Sequence, residues 1–514
     1  MKDTIHTTGP QVKASRPKKA LLGRAACVFA VALVATCASA DELWIGAATT
    51  SITPERPIAL AGQMGLRVAK TVESPCMATA VVLETRREGK TVDQAIMVSC
   101  DLAAIRGDVE GSSTSLGQFV ECKVLEQFRR RVKSRLAGFD VGKLFLNATH
   151  THTSAVTYEG FHDIPKDVMQ PKEYLEFFMD RLGEMVVKAW EGRRPGGVSW
   201  GLGHAVVAQN RRAVYANGTA KMYGNTDVPE FRGLEGYEDH AVEVLFFWDQ
   251  QKKLIATAVN LACTAQEVEN GKAVNADFWH EVREDLRSRY GEKLCVLGWI
   301  GAAGDQSPHL MYRKAAEERM RKLRGLTRLQ EISRRIVKAV DEVYAVVKDD
   351  IHTDVPMVHK VKTIPLPIRM VTEEELADAK KQAAALLEQE KRGANVHGRR
   401  MWHERLVDRY EWQKSNPTYP MEAHVIRLGD VAICTNPFEL FTDHGVRIKA
   451  RSQALQTFVI QLAGPGTYLP TERAVKGGHY SAIVQSNLVG PEGGQVLVDR
   501  TAEILDELWK KPGK

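Results

Sequence analysis

Cysteine is scarce: the 514 residues hold eight, and two of them, Cys27 and Cys37, fall within the first forty. The remaining six, Cys76, Cys100, Cys122, Cys263, Cys295 and Cys434, are too few to staple a chain this long, which excludes a disulfide scaffold. Four of them, Cys100, Cys263, Cys295 and Cys434, sit in apolar strand-like runs where a buried thiol is the simpler state, although export would permit a bridge. Long apolar runs are also missing. After residue 40 no segment reaches the roughly 18 residues that a membrane-spanning helix needs, so the mature chain is expected to lack a transmembrane segment. Excess charge is lacking too, despite a formal net charge of +6. Residues 1–40 carry six Lys/Arg and one Asp, and account for five of the six. A near-neutral remainder removes the electrostatic argument for nucleic-acid binding.

Those first forty residues have their own pattern. Lys18, Lys19 and Arg24 precede an apolar run from Ala25 to Ala38, and Ala38-Ser39-Ala40 suits small-residue cleavage. The expectation is a signal peptide over 1–40 and a secreted or periplasmic mature chain. Val34 to Cys37 also resembles a lipoprotein cleavage box, which leaves lipidation as the minor alternative.

Beyond residue 40 strands alternate with helices. Ala80–Glu84 and Ala95–Cys100 flank a charged, Gly-containing turn and read as a hairpin. Helical periodicity covers 115–136 and 171–191, the latter stopped by Pro195-Gly196-Gly197, and recurs near 276–290 and 498–509. Gly429-Asp430 joins His424–Leu428 to Val431–Thr435 as a second hairpin. The fold class expected is α/β: a mixed, mostly parallel central sheet with flanking helices and added β-hairpins. One domain is expected over 41–514, with a helical insertion at about 313–413 whose second helix is broken near Gly393 and Gly398.

The chemistry gathers beyond strand ends, where such sheets place their sites. Leu144 to Ser154 is an apolar run closing in His150 and His152, which alternate onto one face if the backbone stays extended. Two imidazoles so placed suit a metal; a pair of hydrogen-bonded histidines is the alternative. Asp101, after the preceding strand, is either a residue that orients this pair or a turn aspartate. Between Gly203 and Ala241 lies a polar, Gly-rich loop of the length that usually has a function, and it contains Arg211 and Arg212. Arg211 reads as a group to hold an oxyanion or as a surface ion pair. Ser307, in Gly301–Ser307 after another strand, is a nucleophile, a substrate-contacting hydroxyl or part of a small-residue turn.

Four segments, taken in order, resemble the neutral, non-lysosomal ceramidases. Asn147–Ser154 is similar to their Thr-His-Thr-His-Ser segment, and Gly304–Pro308 to their Gly-Asp-Val-Ser-Pro. Asn436–Glu439 with Gly445–Arg447 is similar to the segment carrying a glutamate zinc ligand, and Thr467–Thr471 to the one carrying a tyrosine ligand. Asn210-Arg211 resembles an Asn-Arg whose arginine lines the active site. The resemblance spans roughly residues 43 to 505 and leaves no room for the carboxy-terminal immunoglobulin-like domain of those enzymes. It implies Zn2+ bound by His150, Glu439 and Tyr468, with Ser307, His152, Arg211 and Asp305 in catalysis. It implies an exported hydrolase of an N-acyl amide, converting N-acylsphingosine to a fatty acid and a sphingoid base. A small-molecule or lipid-like N-acyl substrate is then the expected partner. The alternatives are an esterase or deacylase of another acylated compound, such as an acylated amino sugar, or a non-catalytic exported binding protein.

The sequence departs from that family in one place. Where those enzymes carry a second histidine ligand, Asn260–Glu267 has none. His280 is the substitute expected, with Asp277 in support, and Cys263 and Glu267 are the softer and harder alternatives; the other reading is an ordinary first-turn histidine and a site that has changed or lost its metal.

Overall fold

The computed structural model describes residues 41–114 and 116–510; the signal-peptide reading of 1–40 lies outside them. Ala40–Lys514 clusters as one compact unit. Its centre is an eight-stranded sheet. The strands are β1 (Glu42–Ser51), β2 (Met77–Arg87), β3 (Lys90–Cys100), β4 (Leu144–Ala148), β5 (Arg194–His204), β6 (Ala241–Asp249), β7 (Leu254–Leu261) and β8 (Cys295–Ile300), in the order β8-β7-β6-β5-β1-β2-β3-β4. Helices α1 (Lys123–Val132), α2 (Pro171–Glu191), α3 (Phe278–Tyr290) and α4 (Arg328–Val347) lie along it. A second sheet follows, with β9 (Met357–Pro367), β10 (Thr418–Leu428), β11 (Val431–Thr435) and β12 (Gln456–Ile460) in sequence order. Helices α5 (Glu373–Lys391) and α6 (His397–Trp412) interrupt it, α7 (Thr442–Arg451) precedes β12, and α8 (Pro491–Trp509) ends the described chain.

Side-chain alternation makes four layers of this. Val81, Met97 and Phe145 point to the face that meets Ile426, Ile433 and Phe458 of the second sheet. Their neighbours Val82, Val98 and Leu146 point the other way, onto Phe128 of α1 and Phe178 of α2. In β10, Ile426 and Leu428 face the first sheet while Ala423 and Val425 face α8. The order is helices, sheet, sheet, helices.

The mixed α/β class is as expected, but the sheet is not mostly parallel. Only β3–β4 and β7–β8 pair parallel; the other five pairings are antiparallel. Near-continuous apolar strands signal burial on both faces, which parallel sheets usually have. Here a second sheet supplies the cover on one side, and the direction is antiparallel. Both hairpins form as expected, through Glu88-Gly89 and through Gly429-Asp430. Gly89 and Gly429 have φ of +75° and +60°, a left-handed conformation that glycine adopts without strain.

Three further differences concern boundaries. Segment 313–413 is no helical insertion: α4 packs Ile332, Ile336 and Val340 against the first sheet, and β9 belongs to the second. Pro195-Gly196-Gly197 lies inside β5 and does not merely end α2. The loop from 205 to 240 is largely ordered as a small sheet of Arg212–Tyr215, Ala220–Met222 and Phe231–Leu234.

Candidate metal centre and cavity

Backbone hydrogen bonds draw several strand ends to one place. Ala148 N donates to Leu462 O beyond β12, and Ala265 N beyond β7 donates to Thr149 O beyond β4. Gly304 N beyond β8 donates to Leu440 O beyond β11. The segments with His150, Ser307, Glu439 and Tyr468 therefore meet, as loops after strand ends in layered sheets do.

His150 and His152 come together by a turn, not by strand alternation. The strand ends at Ala148, and His150 has φ +64°, a left-handed conformation that a side chain rarely adopts. Their Nε2 atoms stand 3.2 Å apart, with ring centroids at 4.7 Å. His150 Nδ1 lies 2.6 Å from Ala103 O and donates to it, which turns the lone pair of Nε2 inward. Asp101 does not touch either imidazole. It accepts from Thr149 Oγ1 at 3.1 Å and takes a bidentate pair from Arg283 of α3 at 2.6 and 2.8 Å, anchoring the turn from beneath.

Glu439 and Tyr468 face one another across a two-residue parallel ladder, Glu439–Leu440 with Tyr468–Leu469. Glu439 Oε2 is 3.3 Å from His150 Nε2, yet buried without a hydrogen-bond partner. Burial pushes this carboxyl up, but His150 in its protonated form, then Arg211 and Tyr468, outweigh it and hold it at about 2, so it is ionised. Burial, then Glu439, pushes the Tyr468 phenol well above its usual range. Burial also lowers His152 to about 4 despite the Glu269 carboxylate 3.3 Å from its Nδ1, so this imidazole is neutral at pH 7.

A buried network joins these residues to the rest. Arg211 donates to Tyr223 OH at 2.9 Å, to Gln266 Oε1 at 3.0 Å, to Gly304 O at 2.9 Å and to Tyr468 OH at 3.3 Å. Tyr223 OH in turn donates to Ser307 Oγ at 3.0 Å, which sets Ser307 behind Tyr223, one step from the arginine. Arg212 faces elsewhere, in a buried bidentate pair with Glu235 at 2.6 and 3.1 Å. Asp305 is fully engaged as a clamp: one oxygen takes Thr442 N and Oγ1, both at 2.8 Å, and the other takes Asn210 Nδ2 at 3.0 Å. It fixes the start of α7 and the strand before Arg211.

His280 is not brought to this cluster. It occupies the first turn of α3, half-buried, and does not line the cavity. Cys263 is buried with its thiol near Val207 O, and Glu267 pairs with Arg328 at 3.3 Å. The residue that does face His152 is Gln266, whose Nε2 donates to His152 Nε2 at 2.9 Å. Sequence reasoning passed over it because a carboxamide is seldom a metal ligand. It passed over Glu269 as one acid among many, although the spacing Glu267-Val268-Glu269 was visible. Gly62 was also overlooked: at φ +88°, a Cβ there would overlap the His152 ring.

Among the described residues no group of three or more His, Cys, Asp or Glu side chains is placed to hold a metal ion. A mixed donor set nonetheless fits one. Donors on tetrahedral zinc, with bonds of about 2.0–2.1 Å, lie about 3.3 Å apart. His150 Nε2 and Glu439 Oε2 have that separation, Glu439 Oε2 has no hydrogen bond among the described residues and only a 3.8 Å contact with Arg211 besides, and the Tyr468 phenol adjoins the carboxylate. The His150 Nδ1 bond to a backbone carbonyl is the usual support of a ligating imidazole. The Gln266 carboxamide oxygen is turned away, accepting from Arg211 and from Thr264 at 2.6 Å.

His150, His152, Glu439 and Tyr468 form one end of a cavity whose other walls are mainly apolar, among them Leu116, Phe119, Phe161, Trp402 and Leu488. Helix α6 closes part of it with Trp402, Arg405 and Leu406.

No protein-family model and no curated protein matches the chain. Solved structures do. The neutral ceramidase of Pseudomonas aeruginosa superposes with a TM-score of 0.64 at 15% identity, covering 91% of this chain and 75% of that one. A structure of ceramidase complexed with C2 gives 0.65 at 16% identity with the same coverage. Identity this low carries architecture alone, and the chain has the fold of the neutral ceramidases.

Proposed function

We propose that the chain is an exported, zinc-dependent hydrolase of N-acyl amides, with N-acylsphingosine-like lipids as the first substrates to test. The observation that supports this most is Glu439, ionised and free of hydrogen bonds at one oxygen among the described residues, set against His150 Nε2 in the wall of a mainly apolar cavity. Bound by His150, Glu439 and Tyr468, zinc would supply a Lewis acid beside the acyl carbonyl and a water acidified towards about pH 7.

The protein's own groups then have definite tasks. His152 is neutral, with a Glu269 oxygen 3.3 Å from its Nδ1, and its Nε2 would give up the Gln266 N–H to take the proton that passes to a leaving amine. Tyr468 lines the cavity and would stand beside the acyl carbonyl, while Arg211, committed to Tyr223, Gln266, Gly304 and Tyr468, positions that phenol from behind. Ser307 acts through Tyr223 on Arg211, as a residue that positions the guanidinium. The leader ending in Ala38-Ser39-Ala40 supports export.

The same donors suit an ester or another acylated substrate, such as an acylated amino sugar. A second reading, a non-catalytic exported binding protein, is favoured by one observation, the Gln266 carboxamide where a further ligand is expected. Zinc titration of the purified chain, followed by release of fatty acid from a fluorescent N-acyl amine, separates them. One equivalent of zinc with zinc-dependent release is expected. Less than about half an equivalent after reconstitution, without turnover, would favour the binding protein.

A further inference from the structure

Two cationic side chains in the cavity wall have no acidic partner. Arg405, on α6, is only 9% exposed. Its one hydrogen bond is from Nε to Met401 O at 3.4 Å, within its own helix, so the two terminal nitrogens of the guanidinium are uncommitted. Among the described residues no carboxylate pairs with it; its charged and polar neighbours include Tyr158, Arg106 and Tyr480. Arg106 donates to the carbonyls of Pro465 and Gly466, and likewise has no carboxylate partner among the described residues. Both guanidiniums lie against one ring: that of Arg405 is 3.5 Å from the Phe119 centroid and that of Arg106 is 4.3 Å from it.

Aromatic faces attract cations but do not neutralise them. Burial first, and the neighbouring Arg106 with it, lowers Arg405 to about 9 against the opposing pull of Tyr158 and Tyr480. The other titratable groups facing the pair include Tyr158, Tyr480, His162 and Glu439; burial raises the Tyr480 phenol and lowers His162 to about 4, and Glu439 is engaged with His150 and Arg211. Arg409, one turn along α6, contrasts with Arg405, since four backbone carbonyls take the hydrogens of its two terminal nitrogens. A fold keeps a buried charge when something pairs with it. Here the space before the pair is the cavity that also exposes His150 and Glu439.

We propose that this cavity takes an amphipathic acyl substrate that carries an oxyanion, a carboxylate or a phosphate, bound by the guanidiniums of Arg405 and Arg106. The inference rests on the hydrolase reading for its reaction, but not for its recognition. Guanidinium matches either anion through two parallel N–H donors, and the apolar wall of Leu116, Leu406 and Leu488 suits an alkyl chain.

The test measures kcat/KM on matched pairs with the zinc-loaded full chain. One pair is N-dodecanoylglycine and its carboxamide; the other is N-dodecanoylethanolamine and its O-phosphate. The anionic member of at least one pair is expected to be better by roughly tenfold, the worth of a charged hydrogen bond. The pair with the larger ratio tells carboxylate from phosphate. In Arg405→Met the ratio should fall to about one, and in Arg405→Lys it should stay between that of the wild type and that of Met. A wild-type ratio near one in both pairs overturns the proposal without any variant, as does a ratio unchanged in Arg405→Met. If no pair is turned over, the hydrolase reading has failed, and Trp402 fluorescence decides on binding alone. Dodecanoate or dodecyl phosphate binding roughly tenfold tighter than dodecanol, with the difference lost in Arg405→Met, still supports the anion site; equal binding overturns it.

Discussion

Single atoms carry the argument for a metal. Glu439 Oε2 is a buried oxygen with no hydrogen bond among the described residues; Glu243 and Glu267 each have one such oxygen too, but burial raises their carboxyls, whereas that of Glu439 is held at about 2 and ionised. Removing its charge in Glu439→Gln, or its neighbour in His150→Ala, should weaken zinc binding by more than about 100-fold, since even residues behind the ligands are worth tenfold to 100-fold. Competition titration with a chromogenic chelator reads this directly, and affinity within threefold of wild type in either variant would remove the site. Gln266 bears on the same question with the opposite sign. It is locked between His152 and Arg211, so it offers no lone pair inward. Gln266→His replaces a carboxamide by a ligating ring and should tighten zinc binding by about tenfold or more, a smaller change than the loss of a ligand. Weaker binding in this variant would mean that the arginine network, not the ligand count, limits the centre.

Elements were legible in the sequence to the extent that their signals were local. The two glycine turns, the helix capped by Asp277 and the strand 144–148 follow from turn chemistry, capping and apolar runs. Strand direction did not follow, because double burial leaves the same apolar pattern in either direction. Nor did the small sheet around Arg211, whose short strands alternate too briefly to show a period. The structure brings together His150, Glu439, Tyr468 and Arg211, which the sequence singled out through segments resembling those of the ceramidases, whereas Gln266 and Glu269 reach His152 through contacts across the fold. The tie between α3 and the first sheet is of that second kind: Asp101 and Arg283 are 182 positions apart and both almost wholly buried. Asp101→Asn leaves an unpaired buried guanidinium and should cost about 3–5 kcal/mol in denaturant unfolding. The double variant Asp101→Asn, Arg283→Met removes both charges and should cost less than Asp101→Asn alone. A double variant less stable than the single one would show that packing around Arg283, not charge, holds α3 in place.

Across the whole molecule, buried histidines set how it responds to acid. Burial, the largest cause in each case, lowers His152, His162 and His444 to about 4, and takes His359 well below the usual range. A histidine depressed in the folded chain contributes stability that is complete above its unfolded value near 6.5 and is withdrawn as pH falls towards the folded one. Stability should therefore decline between about pH 6.5 and pH 4, before most carboxylates are protonated. His359 makes this a matter of architecture. Its Nδ1 donates to Gln94 O of β3 at 2.9 Å, and its Nε2 accepts from His424 Nδ1 of β10, also at 2.9 Å, so one neutral ring links the two sheets. Glu422 at 2.9 Å and Arg129 at 3.3 Å flank the far side of His424, and the carboxylate can absorb one added proton on that ring. A proton added to His359 has no acceptor, because both of its nitrogens would then be donors and His424 already donates to one. His359→Gln keeps a donor for Gln94 O and an acceptor for His424, yet cannot titrate. Its Tm at pH 7 should lie within a few degrees of wild type, and its fall between pH 7 and pH 4.5 should be smaller by about 3 °C or more. Equal acid shifts in the two proteins would place the acid sensitivity in the other buried histidines and leave the link between the sheets indifferent to pH.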